Sequence, residues 1–385
     1  AHTVGYGGIA ATLSKMCFGN WLGVAIDSDW RPEELFRPEY GAIIIESEEP
    51  LPGVLPLGAT SAAPLIICNS MILELQEAVD AWQKTLENIF PTTLPISSQV
   101  SWHPCNKKRK VHAGVKTAQP RVLIPVFPGT HCEFETAQAF QRAGAIVETV
   151  LLRNLEIEDI EDSIADIVKG IEQAQIVAFP GGASGGAEPD GSAKFITTIF
   201  RKPQISEAMM RLLQDRDGLV LGICDGFQAL IKLGLVPYGE IRSALEPDDP
   251  TLTFNNLGRH VATTVNTVVT STMSPWLKHA TVGQVHAMPV SHGEGRFHAT
   301  QEQVQQLFAN GQIAFQYADM DGRPASSMPW NPNGSICAVE GITSPDGRVL
   351  GKMGHSERSL NPHIAINIPG DKNQGIFTAG VEYFA

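Results

Sequence analysis

Leu219-Val220-Leu221-Gly222-Ile223-Cys224-Asp225-Gly226-Phe227-Gln228-Ala229-Leu230-Ile231 is the stretch on which the fold turns. Apolar residues run without a break into Gly222, as in a strand buried on both faces. Past Gly226 the spacing of Phe227, Leu230 and Ile231 changes to that of a helix. A cysteine between two glycines at such a strand-to-helix junction is the arrangement of a nucleophile elbow, with Cys in place of Ser. The turn is sharp, so flanking positions without side chains are favoured. The cysteine then sits at a helix N-terminus, where the dipole favours negative charge. A buried cysteine between two packing glycines is an equal reading of the pentapeptide alone.

Working outward, the same alternation recurs upstream. Val122–Val126 is strand-like, residues 133–143 are helical, and Ile146–Leu151 is a strand. Ile157, Ile160, Ile164 and Ile167 mark a helix face, and Ile176–Phe179 is a strand that ends at Pro180-Gly181-Gly182. Residues 205–215 are helical and lead to the strand before Cys224. This order predicts an α/β fold, a parallel sheet with helices on both faces. After residue 250 the pattern becomes one of hairpins, such as Ile336–Ile342 and Arg348–Met353 around Ser344-Pro345-Asp346-Gly347.

A cysteine nucleophile needs a base, and the base an orienting group. Met353-Gly354-His355-Ser356-Glu357-Arg358 offers both after a strand, with His355 and Glu357 two residues apart on one side of an extended segment. Catalytic groups gather at the carboxyl ends of strands. Phe179-Pro180-Gly181-Gly182-Ala183-Ser184-Gly185-Gly186 leaves another strand and exposes backbone N–H groups suited to an oxyanion. With no Gly-Lys-Ser/Thr following, a phosphate loop is disfavoured, and a plain flexible turn is the alternative. Cys132, beside His131, lacks flanking glycines and is set aside as a nucleophile. His292-Gly293-Glu294 is a rival His-x-Glu, read as a loop near the substrate rather than as a base. His2, His103 and His112 have no partner pattern and are read as surface residues.

The chain has 385 residues and a formal net charge of -13, which disfavours nucleic-acid binding. The one basic run, Lys107–Lys110, reads as solvated linker. No apolar run reaches membrane-spanning length. Six scattered cysteines show no zinc spacing, so no metal site is expected, and free thiols point to the cytosol. The start, Ala1-His2-Thr3-Val4, reads like the middle of a longer chain. Three regions emerge: 1–90, a Pro-containing linker at 91–119, and 120–385. In the first, Ile9–Cys17 is helical, Gly41–Ile45 reads as a buried strand, and Leu75, Val79, Trp82, Leu86 and Ile89 stripe a long helix ending at Pro91.

The glycine loop, the Gly-x-Cys-x-Gly-x-Gln elbow and the C-terminal His-x-Glu, in that order, resemble a class I glutamine amidotransferase. The resemblance implies a flavodoxin-like doubly wound parallel sheet. It makes Cys224 the nucleophile, His355 the base and Glu357 its orienter. Gly182 and Asp225 become oxyanion donors, and Gln228 helps to hold the substrate glutamine. Further segments are similar to the amidotransferase domain of the phosphoribosylformylglycinamidine synthase family of purine biosynthesis. They include Pro125–Thr130, Glu188–Phe195, Pro289–Phe297, Asn331–Ser335 and Gly341–Gly347. They cover residues 120–385 and add His292 and Arg296 as substrate or interface contacts. Val4–Ala10, Leu35–Ile43 and Trp82–Thr92 look like the end of that family's synthase half, an aminoimidazole-ribonucleotide-synthetase-type lobe. That lobe often reads His-Asp-Val-Ser-Asp-Gly-Gly, where this chain has Thr3, Gly5 and Tyr6. The elbow carries Asp225 where Asn is more usual. By resemblance the partners are glutamine and the upstream synthase half. ATP and Mg belong to the complete enzyme, and no cofactor is expected in this chain. The loops Ser184–Lys194 and His292–Arg296 are expected to be exposed and to face that half. A cysteine peptidase of the same fold, or a silent interaction module, are the competing readings. The peptidase type places His directly after the elbow cysteine, where this chain has Asp225.

Overall fold

The computed structural model describes residues 1–87, 89, 100, 102–107, 113–114, 116–183, 192–359 and 368–385, with the backbone alone for Pro32 and Thr85. Lys108–Lys110, His112, Pro91, Pro95 and the loop residues 184–191 lie outside them. By internal contacts the chain divides into two units, Ala1–Thr92 and Thr93–Ala385.

In the larger unit the strands and helices upstream of the elbow follow the apolar periodicity closely. They are β1 (Arg121–Val126), α1 (Glu133–Arg142), β2 (Ile146–Leu151), α2 (Ile157–Gln173), β3 (Ile176–Phe179), α3 (Lys194–Phe200), α4 (Pro203–Gln214), β4 (Leu219–Ile223) and α5 (Asp225–Leu233). The Ile164, Ile167 and Ile171 stripe of α2 is buried, whereas Ile157 at its first turn is exposed. Downstream come β5 (Thr251–Phe254), β6 (Val261–Val269), β7 (Val285–His292), β8 (Glu294–His298), α6 (Gln301–Ala309), β9 (Ile313–Ala318), β10 (Val339–Thr343), β11 (Val349–Lys352) and α7 (Ile376–Glu382).

Nine strands form one sheet in the order β7-β6-β9-β10-β11-β4-β3-β1-β2. The run β11-β4-β3-β1-β2 is parallel, and from β11 outward every pairing is antiparallel. The parallel part has the flavodoxin order, which reverses beside β1 and sends successive crossovers to opposite faces. Accordingly α1 packs with α7, and α2 packs with α4. The main apolar core runs through the sheet, with Phe140, Phe179, Phe200, Phe227, Trp276 and Phe315 fully buried, and a smaller cluster gathers Val265, Val290, Tyr317 and Ala338. The hairpin about Ser344–Gly347 forms as expected, but Ile336–Ala338 is a 3-10 turn rather than strand. Its residues Cys337 and Ala338 have φ of 49° and 56°, which a strand does not allow.

The smaller unit packs an eleven-residue helix, Gly8–Phe18, with a four-stranded sheet through Val24, Ile66 and Leu75. Two readings are corrected here. Gly41–Ile45 holds a two-residue strand, Ile43–Ile44, paired with His2–Thr3, and Ile43 and Ile45 are exposed. The striped helix is Leu75–Glu87, and of its stripe Leu75 is buried while Trp82, Leu86 and the following Ile89 are exposed.

Candidate active site

Cys224 stands at the carboxyl end of β4, and its φ of 55° and ψ of -109° make the elbow. The flanking glycines are required by contact. A Cβ at Gly226 would lie 2.1 Å from the Phe179 carbonyl oxygen, and one at Gly222 2.6 Å from that of Gly226. The Cys224 N–H donates to the Lys352 carbonyl at 2.9 Å, tying the elbow to the last residue of β11. Three residues past that point the chain reaches His355, whose N–H donates to the Pro289 carbonyl at 2.8 Å. The parallel pairing of β4 with β11 therefore brings nucleophile and histidine together.

His355 Nδ1 lies 2.6 Å from Glu357 Oε1, and both side chains are buried. Burial alone pulls the imidazole downward. The Glu357 carboxylate and then Cys224 oppose it and hold His355 well above its ordinary range, which favours its protonated form. Burial likewise pushes Glu357 up, and the His355 charge and hydrogen bond bring it below the usual carboxylate range. His355 Nε2 makes no formed hydrogen bond. The Cys224 sulfur rests 3.6 Å from the Ser291 carbonyl oxygen.

Gly181 marks the centre. A Cβ there would lie 2.7 Å from His355 Cε1, 3.2 Å from Cys132 Sγ and 3.3 Å from Cys224 Cβ. Next to it, Gly182 has φ of 154° and pairs with Thr130 so that His131 N–H reaches the Gly181 carbonyl and Ala183 N–H the Gly129 carbonyl. That pattern turns the Gly182 N–H away from Thr130. Asp225 is the first residue of α5, at the positive end of the helix dipole.

Other expected contacts fall differently. The Gln228 amide donates to the Glu294 carbonyl, so it holds that segment down. The His292–Arg296 segment is no exposed loop: His292 and Glu294 are buried at the β7–β8 connection. Its polar groups have local partners. His292 Nδ1 meets Asn255 Oδ1 at 3.2 Å, Glu294 Oε2 accepts from Ser192 N–H at 3.0 Å, and Arg296 Nε donates to the Phe254 carbonyl at 2.9 Å. Burial, reinforced by the charge on His355, lowers His292 to about 3, so it is neutral. His292 and Glu294 do not form a second dyad. Of the expected interface loop Ser184–Lys194, the described end has Ser192 and Ala193 buried.

Two features were missed by the sequence reading. Cys132, set aside there, lies 3.8 Å from His355 Nδ1 and 3.1 Å from the Arg358 guanidinium. Lys352 and Glu340 form a fully buried ion pair at 3.1 Å. Lys352 Nζ donates to the Gly354 carbonyl at 2.5 Å and Gly354 N–H to Glu340 at 2.5 Å, which clamps the peptide just before His355. The signal was present: each is a charged residue inside an otherwise apolar strand.

Residues 119–384 match the family of CobB/CobQ-like glutamine amidotransferase domains. The chain belongs to that family. The amidotransferase domain is also similar to curated proteins named phosphoribosylformylglycinamidine synthase subunit PurQ. That of Methanococcus maripaludis is 36% identical over 287 residues, 69% of this chain and 97% of its own. That of Dehalococcoides mccartyi is 31% identical over 269 residues, 68% of this chain and 97% of its own. These relatives bear out the resemblance read from the sequence, and with it the assignment as a glutamine amidotransferase. The solved structure of PurLQS from Thermotoga maritima matches 69% of this chain and all of its own, with TM-score 0.50 and 20% identity, and supports the fold. Among the described residues no helix is long and apolar enough to cross a membrane.

Proposed function

We propose that this chain hydrolyses glutamine and supplies the ammonia for ATP-dependent conversion of formylglycinamide ribonucleotide to formylglycinamidine ribonucleotide. The observation that carries the chemistry is Cys224 on a positive-φ elbow beside the buried His355–Glu357 pair. The PurQ relatives carry the choice of pathway.

Cys224 gives its thiol proton to His355, and the sulfur attacks the amide carbon of glutamine. The Gly182 and Asp225 N–H groups receive the charge that develops on oxygen. Protonated His355 gives its proton to the leaving nitrogen, and ammonia departs from a γ-glutamyl thioester. His355, now neutral, takes a proton from water, which attacks the thioester and frees glutamate and the thiol. Glu357 holds the ring and stabilises its charged form. His292 and Arg296 shape the floor of the substrate site. Gln228 acts by fixing the Glu294 backbone.

Free ammonia protonates in water and is lost as a nucleophile, so the reading includes a synthase half that receives it. ATP and Mg would act there and not on residues of this chain. Residues 1–90 are read as the end of such a half, and the cytosol as the site of action. The test is glutamine hydrolysis by this chain, with and without a synthase half and formylglycinamide ribonucleotide. The reading expects weak activity alone and a rise on addition. No glutaminase activity in either condition would overturn it and favour a silent module. Equal rates in both would favour an independent glutaminase.

A further inference from the structure

We propose that Cys132, His355 and Glu357 form a binding site for a soft divalent cation of the zinc or cadmium type, whose occupancy switches the amidotransferase off. The cation-binding claim stands on geometry alone, and the switch rests on the function proposed above.

The three side chains offer one sulfur, one imidazole nitrogen and one carboxylate oxygen, all buried and all within 4.8 Å of one another. This mixture suits a borderline-soft ion in a tetrahedral site. The Cys132 sulfur and His355 Nδ1 are 3.8 Å apart, close to the span between two ligands of one zinc ion. Nδ1 and Glu357 Oε1 at 2.6 Å are too close to flank an ion together. Glu357 Oε2, however, is buried with no hydrogen-bond partner and is the carboxylate oxygen left for the cation. Two protons leave when the ion enters, one from the Cys132 thiol and one from His355 Nδ1. Burial raises the Cys132 thiol above its ordinary value, and Arg358, 3.1 Å from the sulfur, offsets only part of that while opposing the cation by charge, so the ion itself must draw the proton off. A water or the Cys224 sulfur completes four ligands.

The site is coupled to function because His355 has a single Nδ1. With a cation there, the ring loses the Glu357 bond that orients it, and its charge is replaced by one that it cannot pass to ammonia. Cys132 itself takes no part in the hydrolysis proposed above, so the site and the reaction are separable by mutation.

The binding test uses Cys224→Ser, which removes the nucleophile and leaves the three ligands. Cadmium titrated into this variant should bind at one equivalent and raise an ultraviolet thiolate-to-cadmium band. Adding Cys132→Ser should abolish that band and weaken binding by about tenfold or more. In the enzyme with Cys224 intact, Cys132→Ser should raise the half-inhibitory zinc concentration by about tenfold, while uninhibited hydrolysis stays within about threefold. If the Cys224→Ser protein binds no cadmium, or binds it equally well without Cys132, the site is not the one described. A protein that binds cadmium through Cys132 but hydrolyses no glutamine would keep the site and sink the proposed function instead.

Discussion

The two halves of the amidotransferase domain bury very different side chains. From β1 to α5 the interior is almost wholly apolar, with Thr136, Ser163, Ser192, Thr197, Asp225 and Gln228 as its buried polar residues among those described. From β5 to His355 it holds Asn255, His286, His292, Glu294, Gln312, Gln316, Asn331, Asn333, Glu340 and Lys352, besides hydroxyl residues. The apolar half carries the nucleophile, which needs only a rigid turn. The polar half carries the base, which needs a fixed ring and a tuned charge. Buried polar groups left unsatisfied destabilise a fold, and that half answers with local pairs such as His292 with Asn255, Glu294 with Ser192 and Lys352 with Glu340.

Five substitutions test this contrast, one of them only in combination. Cys224→Ser should give the largest effect, a loss of glutaminase activity of about a thousandfold or more with no change in melting temperature beyond a few degrees. A comparable loss of folding would mean that the apolar half depends on the thiol. Lys352→Met should act in the opposite way, through stability. It leaves Glu340 charged and unpaired at zero exposure, at a cost of about 3–5 kcal/mol in chemical denaturation. Lys352→Met with Glu340→Gln should recover most of that loss, and failure to recover would show that the pair is not a unit.

Glu357→Gln should lower kcat by about ten- to a hundredfold and leave KM within a few fold. The carboxylate is what raises His355 against burial. Without it the imidazolium is lost at lower pH, so the alkaline limb of the rate profile should move down by about a unit or more. The stability effects run in step. The raised His355 contributes fully below its unfolded value of about 6.5 and is lost as pH rises through its folded value. The lowered Glu357 contributes above its ordinary value and is lost as pH falls through its folded one. An unmoved alkaline limb would count against Glu357 as the orienter.

Near neutral pH the smallest effect is that of His292→Asn, which shows itself only on acidification. Wild-type His292 stays neutral down to about 3, whereas the unfolded chain takes up that proton near 6.5. Stability should therefore fall by about 1.4 kcal/mol per pH unit from this group between about 6.5 and about 3. Removing the imidazole should flatten that part of the acid limb, and an unchanged slope would show that His292 does not set it.

The same contrast governs how much was legible in the sequence. The elbow, its glycines and every strand of the parallel half follow from local periodicity, so Leu219–Ile231 could be read without a structure. His355 and Glu357 were legible because they lie two apart at a strand end. Cys132 was not, because it meets His355 from 223 residues away across the sheet. Lys352 and Glu340 pair between adjacent strands twelve residues apart in sequence; a charge inside each apolar strand hinted at a partner, but only the strand register says which. The His292–Arg296 segment looked like a loop from its glycines and charges. Its burial comes from Asn255, Ser192 and Gln228, none of them near it in sequence. In the smaller unit the stripe of Trp82 and Leu86 predicted a buried face, yet both are exposed: periodicity tells which side of a helix is apolar, not what covers it.

The most direct test of the central claim is to trap the covalent intermediate. The protein is mixed with an electrophilic glutamine analogue, digested, and mapped by mass spectrometry. One adduct per chain on Cys224, protected by excess glutamine and absent from Cys224→Ser, is the predicted result. An adduct on Cys132 or Cys337, or none on Cys224, would contradict it.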